Sequence, residues 1–304
     1  MIIGGDATES IAAGIAAWAG SEAMTALLAE FGFGPLPGGS PGDRLAALSS
    51  ISDRWDYRKG AERSHAVGEE FSPGTAARIE AAAAGLGLAG QQTPAYEAYD
   101  HVLVLGGGVL TMRARAEFAA EVMRRGLSAA TIAGIGSLRP LENPECPTEG
   151  DAVDAGLRQA LGLGEPTGFR AGVSDLGQPW WIRTWDDAAG TGISLAGTQV
   201  HVLAAPSTRP GMRANTGDGY LGWAELVQPH PVGARLLLVT SDIFVPFQHC
   251  DAVRLLGLRY GCRIDTIGFS TAANPWVKTP RTFEILQEVR SAIFSMLALY
   301  NALP

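Results

Sequence analysis

From Tyr99 onward the chain alternates short, near-continuous apolar runs with helical stretches, and the runs end in Gly, Ser or Asp. The runs are HVLVLGGG, ATIAGIG, TQVHVLAAPS, ARLLLVTSD and CRIDTIGFS; between them lie RARAEFAAEVMRRG, TEGDAVDAGLRQALG, TGDGYLGWAELV and FQHCDAVRLLGLRYG. A strand that is apolar on both sides has no face for water, so it belongs in a parallel sheet covered by helices on both faces. The pattern therefore predicts an α/β fold: a three-layer αβα Rossmann-like parallel sheet over residues 96–304. The periodic tail TPRTFEILQEVRSAIFSMLALYNAL closes it as a helix.

Residues 1–95 read differently. They are Ala-rich and helical, with Ser21 as an N-cap and Gly32 as a stop, then Ser72 as a cap with Pro73 in the first turn. GPLPGGSPGD reads as a loop. We expect this region to pack with the C-terminal helix. Between the helices, DRWDYRKGAERSH brings together Trp55, Tyr57, Arg58 and Arg63. Those side chains suit a lid that stacks on a ring and pairs with charge, but the first expectation is an amphipathic helix face covering the sheet edge.

Composition excludes several function classes. The formal net charge of -8 argues against neutralising nucleic-acid phosphates. Three cysteines without CxxC spacing, and histidines at 65, 101, 201, 230 and 249 that do not group, predict neither a disulfide framework nor a metal site. His101 and His201 read as packing residues. The N-terminus lacks a basic n-region and carries Asp6 and Glu9, unlike a signal peptide. No uninterrupted apolar segment long enough to span a bilayer is read from it. A cytoplasmic protein without membrane or nucleic-acid partners is the expectation; the pattern does not define its oligomeric state.

In such sheets ligands bind beyond the carboxyl ends of the strands. After the first run come Gly106, Gly107 and Gly108, then Arg113 and Arg115: close backbone approach, a helix N-terminus and two guanidinium groups for an anion. The spacing is neither GxGxxG nor a P-loop, and three glycines also suit a tight turn without a ligand. The second run ends at Gly136, with Glu149 and Asp151 opening the next helix, where acidic residues also serve the macrodipole. The third is followed by Arg209, Arg213, Asn215, Thr216 and Asp218, a set that reads as a site or as a solvated loop. The fourth ends in Ser241 and Asp242, with His249 in the next helix, a general acid or base or a structural histidine. None of these runs ends in a GxSxG elbow.

The order of these segments, from DHVLVLGGG through TEGDAVDAGL and NTGDGYLGWAEL to RLLLVTSDIFVPFQHCDAVRLLG, resembles the SanA/ElyC/YdcF-like superfamily over roughly residues 99–270. The tail is similar to the closing helix of its two-domain YdcF-like members. The resemblance implies Gly107 and Gly108 for the loop, Arg115 for the anion, Thr148 and Glu149 for the acidic helix start, Thr216 and Asp218 for the T-x-E segment, and Ser241 and His249 for the last motif. Gly219 stands where that family has Asn, and extra residues separate Ser241 from His249.

The expected function is an enzyme acting on an anionic small molecule, nucleotide-, phosphate- or carboxylate-bearing, by hydrolysis or group transfer. Gly107, Gly108, Arg113, Arg115, Gly136, Arg213, Asn215, Thr216, Ser241 and Asp242 would hold the ligand; Glu149, Asp218 and His249 would handle protons. The alternative is a sensor that binds S-adenosylmethionine or a nucleotide without turnover.

Overall fold

The structure, a computed structural model, describes residues 8–60, 66–186 and 197–304. Its sheet has the strand order β3-β4-β5-β2-β1-β6-β7. Five parallel strands carry the expected apolar runs: β1 (Ala98–Leu105), β2 (Ser128–Ser137), β5 (Gln199–Ala205), β6 (Arg235–Ser241) and β7 (Arg263–Phe269). β3 (Gly168–Val173) and β4 (Pro179–Trp185) stand where the apolar-run pattern marks no strand. They form an antiparallel hairpin added beyond β5.

Among the parallel strands the chain runs outward from β1 through β2 to β5, then returns to place β6 and β7 on the other side. The order reverses between β1 and β6, and such a switch point is where open α/β sheets bind ligands, beyond the carboxyl ends of the strands. Two helices from the first half, α5 (Val109–Arg124) and α6 (Glu149–Leu161), cover one face around Val104, Ile132, Val153, Val202 and Val239. On the other face lie α7 (Thr216–Gly222), α8 (Val245–Ala252) and the short α9 (Leu258–Tyr260), packed around Leu103, Ile135, Leu203 and Leu238. Three layers result, as the sequence pattern requires.

That second face is continuous with a helical layer. α1 (Thr8–Ala19), α2 (Glu22–Glu30), α3 (Pro41–Ser52) and α4 (Pro73–Gly85) gather with α10 (Thr282–Asn301), which also lies on α8. Ile15, Leu27, Leu45, Leu48, Ile79, Leu286 and Ile293 are fully buried there. α3 begins inside the stretch read as a loop. Ser40 and Asp43 form a reciprocal capping box around Pro41, so the Pro-Gly segment is a helix start.

Thr8–Glu30 is long and apolar enough to cross a membrane by length and composition, with mean hydropathy 1.4. In the fold it is two helices. α1 runs out at Gly20, Ser21 caps α2, and Ile11, Trp18, Met24 and Leu28 are buried against their neighbours. Trp55 is likewise wholly buried beside Phe31, Tyr57 bonds Glu69, and Arg58 pairs with buried Glu288 at 3.1 Å. These three side chains belong to the packing of the helical layer rather than to a lid; Arg63 lies outside the described residues.

Candidate functional site

At the switch point between β1 and β6 stands the glycine turn. Leu105 ends β1, Gly106 and Gly107 are half-buried, and Gly108 is exposed as the N-cap of α5. A glycine has no side chain to accept from the first helical N–H groups, and no side-chain cap on them occurs among the described residues. The opening amides of a 16-residue helix therefore face outward with their dipole, a setting that favours an anion. Gly106 is dictated by space. A Cβ there would stand 2.6 Å from the Ile135 carbonyl and 3.0 Å from the Glu149 carboxyl carbon.

Arg115, about two turns along α5, is buried beneath the glycine turn. Its guanidinium donates to the Leu105 carbonyl at 2.8 Å, to the Gly106 carbonyl, and to the Ser241 hydroxyl at 3.3 Å. The Phe244 ring lies 5.5 Å from it. Arg115 thus ties the ends of β1 and β6 together and sets a fixed positive charge under the switch point. Arg113 points elsewhere, its guanidinium 4.4 Å from the ring of Trp276 in the segment after β7.

Beside the turn stands Glu149, the first residue of α6. Its carboxylate accepts from the Ser137 hydroxyl at 2.7 Å and from Arg139 at 3.0 Å, and it is largely shielded from solvent. Ser137 is the last residue of β2, so a carboxylate stands at the end of that strand although it comes from the following helix. Ser137 and Arg139 are members of the cluster that motif reading did not single out. A hydroxyl closing a buried strand, with an arginine two residues on, is the signal that was there to be used. Gly136 serves packing: a Cβ on it would meet Gly150 Cα at 2.9 Å, so it lets α6 lie against β2.

The other candidates are drawn into the framework. Asp218 is buried, and its carboxylate accepts from the Thr208 N–H and hydroxyl, from Asn215 N–H at 2.8 Å and from Arg209. Asn215 returns the bond to Asp218 N–H, completing a capping box at α7; Thr216 is the first helical residue. Arg213 is exposed on the loop before it, its carbonyl accepting from Arg209. Asp242 accepts from the amides of Gly90, Ile243 and Thr271 and from the Thr271 hydroxyl. That carboxyl staples the linker after α4 to the segment after β7. Burial pushes its pKa up, against the pull of those donors.

His249 is buried at the α8–β7 contact, with Nδ1 3.0 Å from the Thr266 hydroxyl. Burial holds its pKa down at about 4. It stands with β7 rather than with Glu149. His201 is similarly depressed to about 4 by burial, between Thr184 and Gln199. Among the described residues no three His, Cys, Asp or Glu side chains are grouped as a metal ion requires.

The structure thus gathers the Gly106–Gly108 turn, Arg115, Ser241, Ser137, Arg139 and Glu149 at the switch point. It places Asp218 with Arg209 and Asn215 in a helix cap, and Asp242 and His249 in the interior.

No solved structure matches the chain. The Rv3785 N-terminal domain family matches residues 3–87, a span that ends just after α4. Over nearly its whole length the chain is similar to the uncharacterized proteins Rv3785 of Mycobacterium tuberculosis (strain ATCC 25618 / H37Rv) and Mb3814 of Mycobacterium bovis. Each is 30% identical over 320 residues, covering 93% of this chain and 87% of the relative. With that identity across both its helical layer and its sheet, the chain belongs to the Rv3785 family.

Proposed function

We propose that this protein binds an anionic small molecule, nucleotide-, phosphate- or carboxylate-bearing, over the Gly106–Gly108 turn. The observation that carries the reading is the uncapped N-terminus of α5 above buried Arg115, at the one point where the strand order reverses. An outward-facing helix dipole and a fixed cation act on the same spot, and both favour negative charge. Gly107, Gly108 and the first amides of α5 contact the ligand, while Arg115 holds the turn in shape and supplies field. Membership of the SanA/ElyC/YdcF-like superfamily is part of this proposal, since the same glycines, Arg115 and Glu149 carry that resemblance.

If the protein is an enzyme, hydrolysis or group transfer rests on Glu149, the acidic group beside the turn. Its carboxylate is oriented by Ser137 and Arg139 to take or return a proton on a ligand atom above Gly106. A second reading, a nucleotide or S-adenosylmethionine sensor without turnover, is favoured by one specific observation. Glu149 stands at the end of β2, where sheets of this order hold a ribose hydroxyl with a carboxylate. Asp218 and His249, occupied within the fold, have no role in either reading.

The test is a thermal-shift panel of nucleotides, S-adenosylmethionine, sugar phosphates and acyl phosphates on wild type and Glu149→Gln. A ligand that binds the folded state raises the melting temperature by mass action. Turnover of that ligand, lost in Glu149→Gln while the shift persists, establishes the enzyme. A shift that is itself lost in Glu149→Gln, without turnover in wild type, establishes the sensor. A panel with no shift in wild type removes the reading.

A further inference from the structure

The two edges of the sheet are treated oppositely. Along β7 the linker after α4 closes the ladder: Gln92 N–H donates to the Gly268 carbonyl, Gly268 N–H donates to the Gln92 side chain at 2.8 Å, and Ala95 N–H donates to Asp265. Along β3 no backbone partner beyond β4 occurs among the described residues. Phe169 and Val173 on this strand are 62% and 66% exposed, and Leu176 in the hairpin turn is 47% exposed. Natural edge strands are guarded by lysine, proline or a bulge that turns pairing away. β3 reads GFRAGV. Its single charged side chain, Arg170, folds back to donate to the Leu226 carbonyl at 2.6 Å, away from the edge.

The register shows what can pair there. Ser174 N–H donates to the Gln178 carbonyl at 2.8 Å, continuing a ladder in which Arg170 faces Ile182 and Gly172 faces Trp180. Bonding alternates along an antiparallel strand, so Phe169, Ala171 and Val173 turn their N–H and C=O groups to the open edge. With a period of two their side chains share one face, the α6 face, since they stand opposite Arg183, Trp181 and Pro179. This triplet is symmetric about Ala171 in character: apolar, small, apolar.

We propose that β3 is a homodimer interface, in which a second copy of this chain adds its own β3 antiparallel about a two-fold axis through Ala171. Phe169 then lies opposite the partner's Val173, and Ala171 opposite the partner's Ala171. Each outward amide meets an outward carbonyl, forming on the order of six new hydrogen bonds. A closed two-fold contact uses the same patch on both copies, and this strand is self-complementary in both backbone and side chains. The area sets the class of dimer. Phe169, Val173 and Leu176 leave on the order of 300 Å² exposed per copy, so the pair falls below the roughly 1,200 Å² of stable interfaces. The dimer is therefore weak and concentration-dependent, with two sheets joined into one.

Sedimentation of the full chain across a concentration series tests this, beside Ala171→Pro and Val173→Lys. Proline at an open edge removes only the outward N–H, and lysine places a charge opposite the partner's Phe169. Wild type is expected to move from a 31.8 kDa monomer toward twice that mass as concentration rises through the micromolar range. Both variants are expected to weaken the dimer at least tenfold at an unchanged melting temperature. If one variant fails to fold, the other decides. A wild type that stays monomeric throughout, or a folded variant that dimerises as wild type does, overturns the proposal.

Discussion

Four helices follow strands at the carboxyl rim of the sheet; α8 is reached from β6 through the short turn Asp242–Phe244, and the other three, which start from extended backbone, begin in two ways. α6 and α7 close themselves. Thr148 with Asp151, and Asn215 with Asp218, form reciprocal capping boxes that satisfy the opening amides from within the chain. α5 opens on Gly108, and among the described residues no side chain takes its amides. All three start from extended backbone after an apolar strand, so the difference lies in one residue of chemistry rather than in architecture. A self-capped terminus has its donors satisfied already, whereas an uncapped one over a buried cation has amides to offer to something the chain does not contain. The contrast locates the candidate site better than any tally of acidic residues. Asp218, expected to handle protons, and Asp242, expected to hold the ligand, are both occupied in holding loops.

The largest effect should come from removing the cation that distinguishes α5. Arg115→Ala leaves the Leu105 and Gly106 carbonyls and the Ser241 hydroxyl without their buried donor. A loss of roughly 3–5 kcal/mol in denaturant unfolding is expected. Arg115→Lys keeps charge but not the fork, and should fall between the two. An Arg115→Ala protein as stable as wild type would show that the cation does not organise the turn.

His249 tests the other side of the contrast, interior against rim. Its folded pKa is about 4, below the ordinary 6.5, because burial disfavours the charged form. The unfolded chain thus binds more protons between those values. The contribution to stability is complete above about pH 6.5 and is lost as pH falls toward 4. For this one residue the loss is on the order of 3 kcal/mol. His201 acts in the same direction, while Asp154, Asp242 and Asp251, whose pKa values burial raises, act oppositely. The informative quantity is therefore the wild-type slope minus that of His249→Gln, followed by urea unfolding from pH 7 to pH 4. Equal slopes would mean that His249 is already charged or reachable by water in the native state.

Next comes Asp218→Ala, which opens the α7 box and frees Thr208 and Asn215. It should lower stability by about 2 kcal/mol and leave anion binding at the glycine turn intact. Loss of binding in a variant that stays folded would make Asp218 a ligand group and erase the distinction between the two kinds of terminus.

The parallel strands were legible because burial on both faces writes itself as an unbroken apolar run, and Val102–Leu105 or Leu236–Val239 can be little else. β3 and β4 were not, for the same reason reversed. GFRAGV and PWWIRTW are half-exposed, mix glycine, arginine and tryptophan, and carry no run to detect. At the site, the glycine turn and Arg115 could be read because strand, glycines and helix are contiguous. Ser137 and Arg139 meet Glu149 across a loop of ten residues or so, and Asp242 meets Gly90 from 152 positions away. Contacts of that separation have no local pattern. Capping is a further source of ambiguity, since an acid in the first turn reads alike whether it closes its own helix, as Asp218 does, or reaches the end of the neighbouring strand, as Glu149 does.

The smallest expected change is the most discriminating. Gly108 has φ -69° and ψ 164°, the backbone of an ordinary N-cap, and a Cβ built on it meets nothing within 4 Å. Gly108→Ser can therefore be accommodated without strain, and its hydroxyl can accept from the amides two or three residues on, as Ser21 does for Met24. Because glycine is itself a tolerable cap, the gain in stability should be only a few tenths of a kcal/mol. The same hydroxyl competes with a bound anion for those amides. Binding should weaken while the unliganded fold becomes slightly firmer, a divergence that titration of an anion identified in the thermal-shift panel, paired with unfolding curves, can resolve. If affinity is unchanged or rises with stability, the opening amides of α5 are not the anion's donors, and the glycines serve only to let Glu149 approach the turn.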